Sequence, residues 1–159
     1  MIRISKLTDY GILVLTSLME AGPVAVSASE LAGRTAVPEP TVGKILRRLT
    51  RAGILTSTRG ARGGYSLARA AEAITVAEII EAFEGPIALT ECLSTETPTC
   101  DVEPICTTRA NWDRINRAIR RALEEIPLAE MARPQTGWRA RLGTALVTDQ
   151  TEHREGATQ

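Results

Sequence analysis

The stretch Glu39–Arg69, EPTVGKILRRLTRAGILTSTRGARGGYSLAR, decides the fold. Val42, Ile45, Leu46 and Leu49 recur at i, i+3, i+4 and i+7. At about 100° per residue they share one face of a helix. Lys44, Arg47, Arg48 and Arg51 gather on the opposite side of the same wheel, with Thr41 near the N-terminus and Gly53 as a C-terminal cap. The run Ile54–Arg59 is rich in β-branched residues, Gly60, Gly63 and Gly64 allow positive-φ turning, and Tyr65–Leu67 makes a return strand. An amphipathic helix with a cationic face is thus followed by a hairpin whose tip carries Arg59 and Arg62. The glycine-rich run does not end in GK[ST] and opens no helix, which excludes a phosphate-cradling nucleotide loop.

Upstream, KLTDYGILVLTSLMEAGP places Leu7, Tyr10, Gly11, Val14, Leu15 and Leu18 at helical spacing, stopped by Gly22-Pro23. Ser27 and Glu30 then form an S-x-x-E capping box that starts a second, short helix ending before Pro38. Three short helices and a two-stranded wing make a winged helix-turn-helix over residues 1–69. Such a unit serves DNA or protein contacts; the basic helix face and wing arginines favour DNA.

Charge is divided along the chain. Residues 1–69 carry ten Lys/Arg and four Asp/Glu, or +6; residues 70–159 carry nine and fifteen, or −6, for a net charge of zero. A basic half joined to an acidic half suits a nucleic-acid-binding end and a sensing or pairing end, although solvated surfaces also vary by chance. Aromatic residues are only 3% of the 159, so the core must be aliphatic, favouring packed helices. No apolar run approaches the roughly 18 residues of a membrane span. The N-terminal MIRISKLTDYG has no apolar h-region or cleavage pattern, so a cytoplasmic chain with reduced thiols is expected.

In the second half, ITVAEIIEAFEGP carries a capping box from Thr75 to Glu78 and stops at Gly85-Pro86; it is read as the connecting helix, residues 70–91. Residues 92–106 form a loop holding all three cysteines, Cys92, Cys100 and Cys106, spaced C-x7-C-x5-C. Thiolates suit iron–sulfur clusters or zinc, yet the short C-x2–4-C knuckle usual for zinc is absent, and free thiols are a third possibility. NWDRINRAIRRALEEIPLAEMA follows, with Trp112, Ile115, Ile119, Ala122 and Ile126 at alternating spacings of three and four. That seam suits a coiled-coil-like pairing face or the inner face of a helix packed on its own domain, and the length and charge of the segment favour a dimerisation helix over 107–132. A two-fold dimer would set two recognition helices one turn apart on a palindromic operator of double-stranded DNA. Residues 133–159, with the single histidine, His153, read as a disordered tail. No nucleophile–base pair or carboxylate cleft points to an enzyme.

LTDYG, VPEPTVGKILRRLTRAGIL, RGARGGYSLAR and ITVAEIIEAFEG ahead of a three-cysteine loop together resemble the iron–sulfur winged-helix transcription regulators, the group of IscR, NsrR and CymR, over residues 1–131. The pattern is most similar to regulators of suf-type iron–sulfur assembly operons. The resemblance implies a homodimeric, cytoplasmic regulator or repressor with a palindromic operator and, in many members, a 2Fe-2S or 4Fe-4S cluster on the cysteine loop. A metal set of Cys92, Cys100 and Cys106 then needs a fourth ligand. Arg109 stands where IscR-like members have a histidine and cannot ligate; NsrR-like members use an aspartate at the start of the partner's first helix, the position of Asp9 here. Thr41, Lys44, Arg47, Arg48, Arg59 and Arg62 are the expected DNA contacts. Gly43 replaces a glutamate that helps IscR select operators, so that site preference does not carry over. The competing expectation is a cluster-free repressor governed by thiol oxidation or a partner enzyme.

Overall fold

The computed structural model describes residues 3–60, 63–94, 100, 102 and 105–132. Ser5 caps the first helix, α1 (Lys6–Glu20), by accepting from the Thr8 amide at 3.3 Å. Ser27 does the same for α2 (Ala28–Thr35) through the Glu30 amide at 3.2 Å. The expected reciprocal half of that box is not made: the Glu30 carboxylate pairs instead with Arg34, one turn on. Ala36, at φ 56°, turns the chain into α3 (Glu39–Arg51), which has Pro40 in its first turn, where the missing N–H costs nothing. Val42, Ile45, Leu46 and Leu49 are fully buried as the periodicity predicts. They pack with Val14, Leu15 and Leu18 of α1 and Leu31 of α2.

Gly53, at φ 72°, releases the chain into a hairpin of β1 (Leu55–Thr58) and β2 (Gly64–Leu67), registered Leu55↔Leu67 to Thr58↔Gly64. The hairpin is anchored to the helices rather than hanging from them. Tyr65 exchanges both backbone hydrogen bonds with Val26 in the α1–α2 link, at 2.9 and 2.8 Å. Gly64 allows that approach: a Cβ there would lie 2.7 Å from the Val26 carbonyl carbon.

The second half opens with α4 (Val76–Glu84), held by the complete capping box of Thr75 and Glu78 and ended by Gly85 at φ 84°. The connecting segment 70–91 is therefore one nine-residue helix flanked by short 3-10 turns at Ala71–Ala73 and Glu91–Leu93. The long helix expected over 107–132 is corrected to two, α5 (Arg109–Glu124) and α6 (Leu128–Met131). Pro127 has no N–H for a helical bond and clashes with the preceding turn. The break lets the chain return to the start of α4: Val76 N–H donates to Ile126 O at 2.9 Å and Leu128 N–H to Ile74 O at 2.8 Å. Leu128 is then fully buried in the same core as Leu15 and Ile45. No helix among the described residues is long and apolar enough to cross a membrane. The expected tail, with His153, and the wing-tip Arg62 lie outside the described residues.

Because Leu128 plugs a core built mostly by residues seventy or more positions upstream, Leu128→Ala should lower the unfolding free energy by about 2–5 kcal/mol in urea titrations followed by circular dichroism. Ile105→Ala, at a side chain 79% exposed, should change it by less than about 0.5 kcal/mol. Equal effects would contradict the anchoring role.

Candidate functional site

The outward face of α3 is cationic. Lys44, Arg47 and Arg51 are exposed, and Thr41 sits half-buried in the first turns. Arg48 departs from the expected four-cation face. It lies about 60° around the helix from buried Ile45, on the flank toward α4, and its Nη1 donates to the Phe83 carbonyl at 2.8 Å. That carbonyl belongs to the last turn of α4, where no intrahelical donor remains and the helix dipole favours a cation. Arg48 is thus tied to α4 through one of its guanidinium nitrogens.

The C-terminal turn of α4 is gripped from its other side by α1. The Phe83 ring lies against Gly11 so closely that a Cβ there would fall 2.5 Å from Cε2. Glu84 Oε1 accepts from the Ser5 amide at 3.2 Å and from the Thr8 hydroxyl. These hydrogen bonds from Ser5 and Thr8, with the Arg48 charge nearby, hold the Glu84 carboxyl below the usual range. Thr8, fully buried, and Glu84 are functional-site neighbours that apolar periodicity passes over; the visible signal was a hydroxyl residue three after the Ser5 cap.

On the wing, Arg59 is exposed just beyond β1, and Gly63 N–H closes the turn onto Gly60 O at 2.8 Å.

Past Gly85 the chain runs toward the thiols under the control of α5. Asn116 donates from Nδ2 to Ile87 O and accepts at Oδ1 from Leu89 N–H, both at 3.0 Å. Arg120 reaches Glu81 of α4 at 3.6 Å. Asn116 was missed in the sequence, where it looks like one polar residue among many in α5. Cys92 lies in the 3-10 turn with its Sγ 3.3 Å from Thr90 Oγ1. Cys106 precedes α5 with its Sγ 3.4 Å from Thr108 Oγ1. Hydrogen bonding by the Thr108 hydroxyl and amide, helped by Arg109, lowers the Cys106 thiol pKa. Cys92, Cys100 and Cys106 are all free and partly exposed. Among the described residues, however, no three His, Cys, Asp or Glu side chains are grouped to hold a metal ion. The single chain therefore supplies the soft donors that a cluster requires without gathering them.

Asp9 is exposed in the first turn of α1. It borders a groove of about 870 Å³ whose apolar walls include Ile4, Ile12, Val76, Ile80, Leu123 and Met131. Along α5 no residue is buried. Trp112 and Ile115 are each 42% exposed and Ile126 is 36% exposed, while Ile119 is half-buried, so most of the predicted seam is open to solvent in the single chain.

Comparison with known proteins agrees with this architecture. The Rrf2 family, described as an iron-dependent transcriptional regulator, matches residues 4–134. The protein rrf2 of Nitratidesulfovibrio vulgaris is 34% identical over 132 residues, covering 82% of this chain and 87% of that protein. The structure of CymR, the global cysteine regulator of Bacillus subtilis, superposes with a TM-score of 0.65 at 32% identity, covering 83% of this chain and 97% of the other. The T. potens IscR structure does so with a TM-score of 0.60 at 30% identity, covering 82% and 85%.

A carboxylate with a depressed folded-state pKa stabilises the fold above its unfolded pKa, and that contribution disappears as pH falls through the folded value. Glu84→Gln should therefore flatten the stability profile on the acid side, between about pH 5 and the lower folded pKa. The difference should stay below about 1 kcal/mol, because Glu84 is exposed. Parallel acid-side profiles for the variant and the wild type would remove Glu84 from the α1–α4 contact.

Proposed function

The chain belongs to the Rrf2 family of transcriptional regulators, and from that premise we propose that it is a homodimeric, iron–sulfur-sensing regulator of a palindromic DNA operator. The observation that carries this reading is the placement of the exposed cationic face of α3 beside an anchored wing, on the same body whose α4 leads directly into the three-thiol loop. Thr41, Lys44 and Arg47 face the major groove, while Arg59 and Arg62 of the wing reach the flanking minor groove. Phosphate contacts set the affinity and fewer contacts read base edges. The exposed apolar stripe of α5 pairs with its copy, which places two recognition helices one helical turn apart. Genes of iron–sulfur assembly fit such a sensor as targets.

Cys92, Cys100 and Cys106 are the thiolates that would hold a 2Fe-2S or 4Fe-4S cluster, and Asp9 of the partner subunit supplies the oxygen ligand. When bound, the cluster supplies an iron- and oxidant-sensitive link between subunits. Three thiols free of disulfides, and a carboxylate exposed beside an apolar groove, suit that donor set. Arg48 acts as a positioning residue. Any shift of the loop at Gly85 moves the Phe83 carbonyl, and Arg48 carries the shift into α3.

A second reading, a cluster-free thiol switch, draws support from the dispersed cysteines and the lowered pKa of Cys106. Purification without air separates the two. The first predicts a coloured protein with iron and sulfide in stoichiometric amount. Changing all three cysteines to serine should abolish the colour, and Asp9→Ala should shift the visible spectrum and speed iron loss. A colourless wild type would favour the thiol switch, and an Asp9→Ala spectrum identical to wild type would remove Asp9 as a ligand.

A further inference from the structure

Between the C-terminal half of α3 and the wing lies a notch of about 280 Å³ lined by Arg47, Thr50, Arg51, Ser57 and Tyr65. We propose that this notch is a preformed seat for one backbone phosphodiester of the bound duplex, with Arg51 and Tyr65 as binding residues in addition to Thr41, Lys44, Arg47 and the wing-tip arginines. The proposal rests on the DNA-binding reading above and deepens it.

The chemistry of the lining is selective. Two arginines and three hydroxyl-bearing residues line the notch, and no carboxylate does. That set matches a singly charged, oxygen-rich group, which takes planar N–H donors from arginine and further O–H donors around its rim. Thr50 contributes a further sign. Its Oγ1 is the one buried side-chain polar atom among the described residues without a hydrogen-bond partner. Native folds rarely leave such an atom unpaired. A turn about its Cα–Cβ bond would offer it to an oxygen lodged in the notch.

The walls are fixed in advance. Ser57 and Tyr65 are direct cross-strand partners. Tyr65 spends both backbone hydrogen bonds on Val26, so toward Ser57 it forms a non-hydrogen-bonded pair, in which side chains stand closest together. The tie to Val26 and the tight fit of Gly64 against it also keep the wing from swinging away from α3. Binding therefore needs little ordering of either wall.

Topology supplies the ligand. If α3 enters a major groove and the wing enters the adjacent minor groove, the sugar–phosphate strand dividing those grooves must cross the junction between α3 and the wing. That junction is this notch.

The full-length protein can be tested by fluorescence anisotropy with a short mixed-sequence duplex over a range of KCl concentrations. Arg51→Gln should lower the slope of log affinity against log salt by about 0.9, the loss of one neutralised phosphate. Arg121→Gln, the same charge change on exposed α5, should leave the slope as in wild type. Tyr65→Phe should weaken binding several-fold without altering the slope, since it removes a donor and no charge. The double variant Arg51→Gln/Tyr65→Phe should lose less than the product of the single losses, because both hold one group. A slope for Arg51→Gln equal to that of Arg121→Gln, or fully multiplicative losses, overturns the seat while leaving DNA binding intact. Failure of the wild type to bind any duplex at low salt would overturn the DNA-binding reading and the seat together.

Discussion

The last turn of α4 is the constraint on which the rest of the molecule depends. Its Phe83 ring fills the space left by Gly11 on α1, its Phe83 carbonyl receives Arg48 from α3, and its Glu84 carboxylate receives Ser5 and Thr8 from the start of α1. Each contact alone is modest; a hydrogen bond to a charged group contributes about 1.5–3 kcal/mol, less when exposed. Together they bind α3, the helix bearing Asp9 and the root of the cysteine loop into one corner. Interiors packed at this density transmit displacement rather than absorb it.

The C-terminal part of the chain completes that corner from outside. Helix α5 reaches α4 through Arg120 and the segment after α4 through Asn116, then breaks at Pro127 so that Leu128 returns to the core. The thiol-bearing loop thus starts and finishes on one pair of packed helices. The apolar stripe that α5 leaves open adjoins the side carrying Asn116 and Arg120. A duplex would meet the molecule elsewhere, on α3 and the wing, and the last turn of α4 touches α3 through Arg48.

Much of this was legible in the sequence, because helices and hairpins advertise themselves locally. The stripe Val42–Leu49, the Thr75–Glu78 box and the positive-φ Gly53 and Gly85 all act over a few residues, and the structure has each of them; of the wing glycines expected to turn at positive φ only Gly60 does, while Gly63 and Gly64 serve close backbone approach. The distant contacts were not legible. Arg48 shares the composition of its neighbours Arg47 and Arg51, and nothing local says that a carbonyl thirty-five residues away claims it. Pro127 was in plain view, yet the seam read through it because Ile126 kept the three-four spacing, and burial of Leu128 depends on a strand-like pairing with Ile74. Glu30 sat where a capping box wants it, and Arg34 one turn away competed successfully for its carboxylate. The thiols show the limit most clearly. Their clustering in sequence is plain, but among the described residues no three His, Cys, Asp or Glu side chains gather to hold a metal ion.

The most direct measurement is the ratio of duplex affinities between the iron-loaded and iron-free dimer, taken for the wild type and for Arg48→Gln under the same salt. Coupling through α4 predicts a ratio within about 5–150-fold for the wild type and one that shrinks toward unity in Arg48→Gln, with the cluster spectrum unchanged. A wild type whose two forms bind equally, or an Arg48→Gln variant that keeps the full ratio, would contradict it.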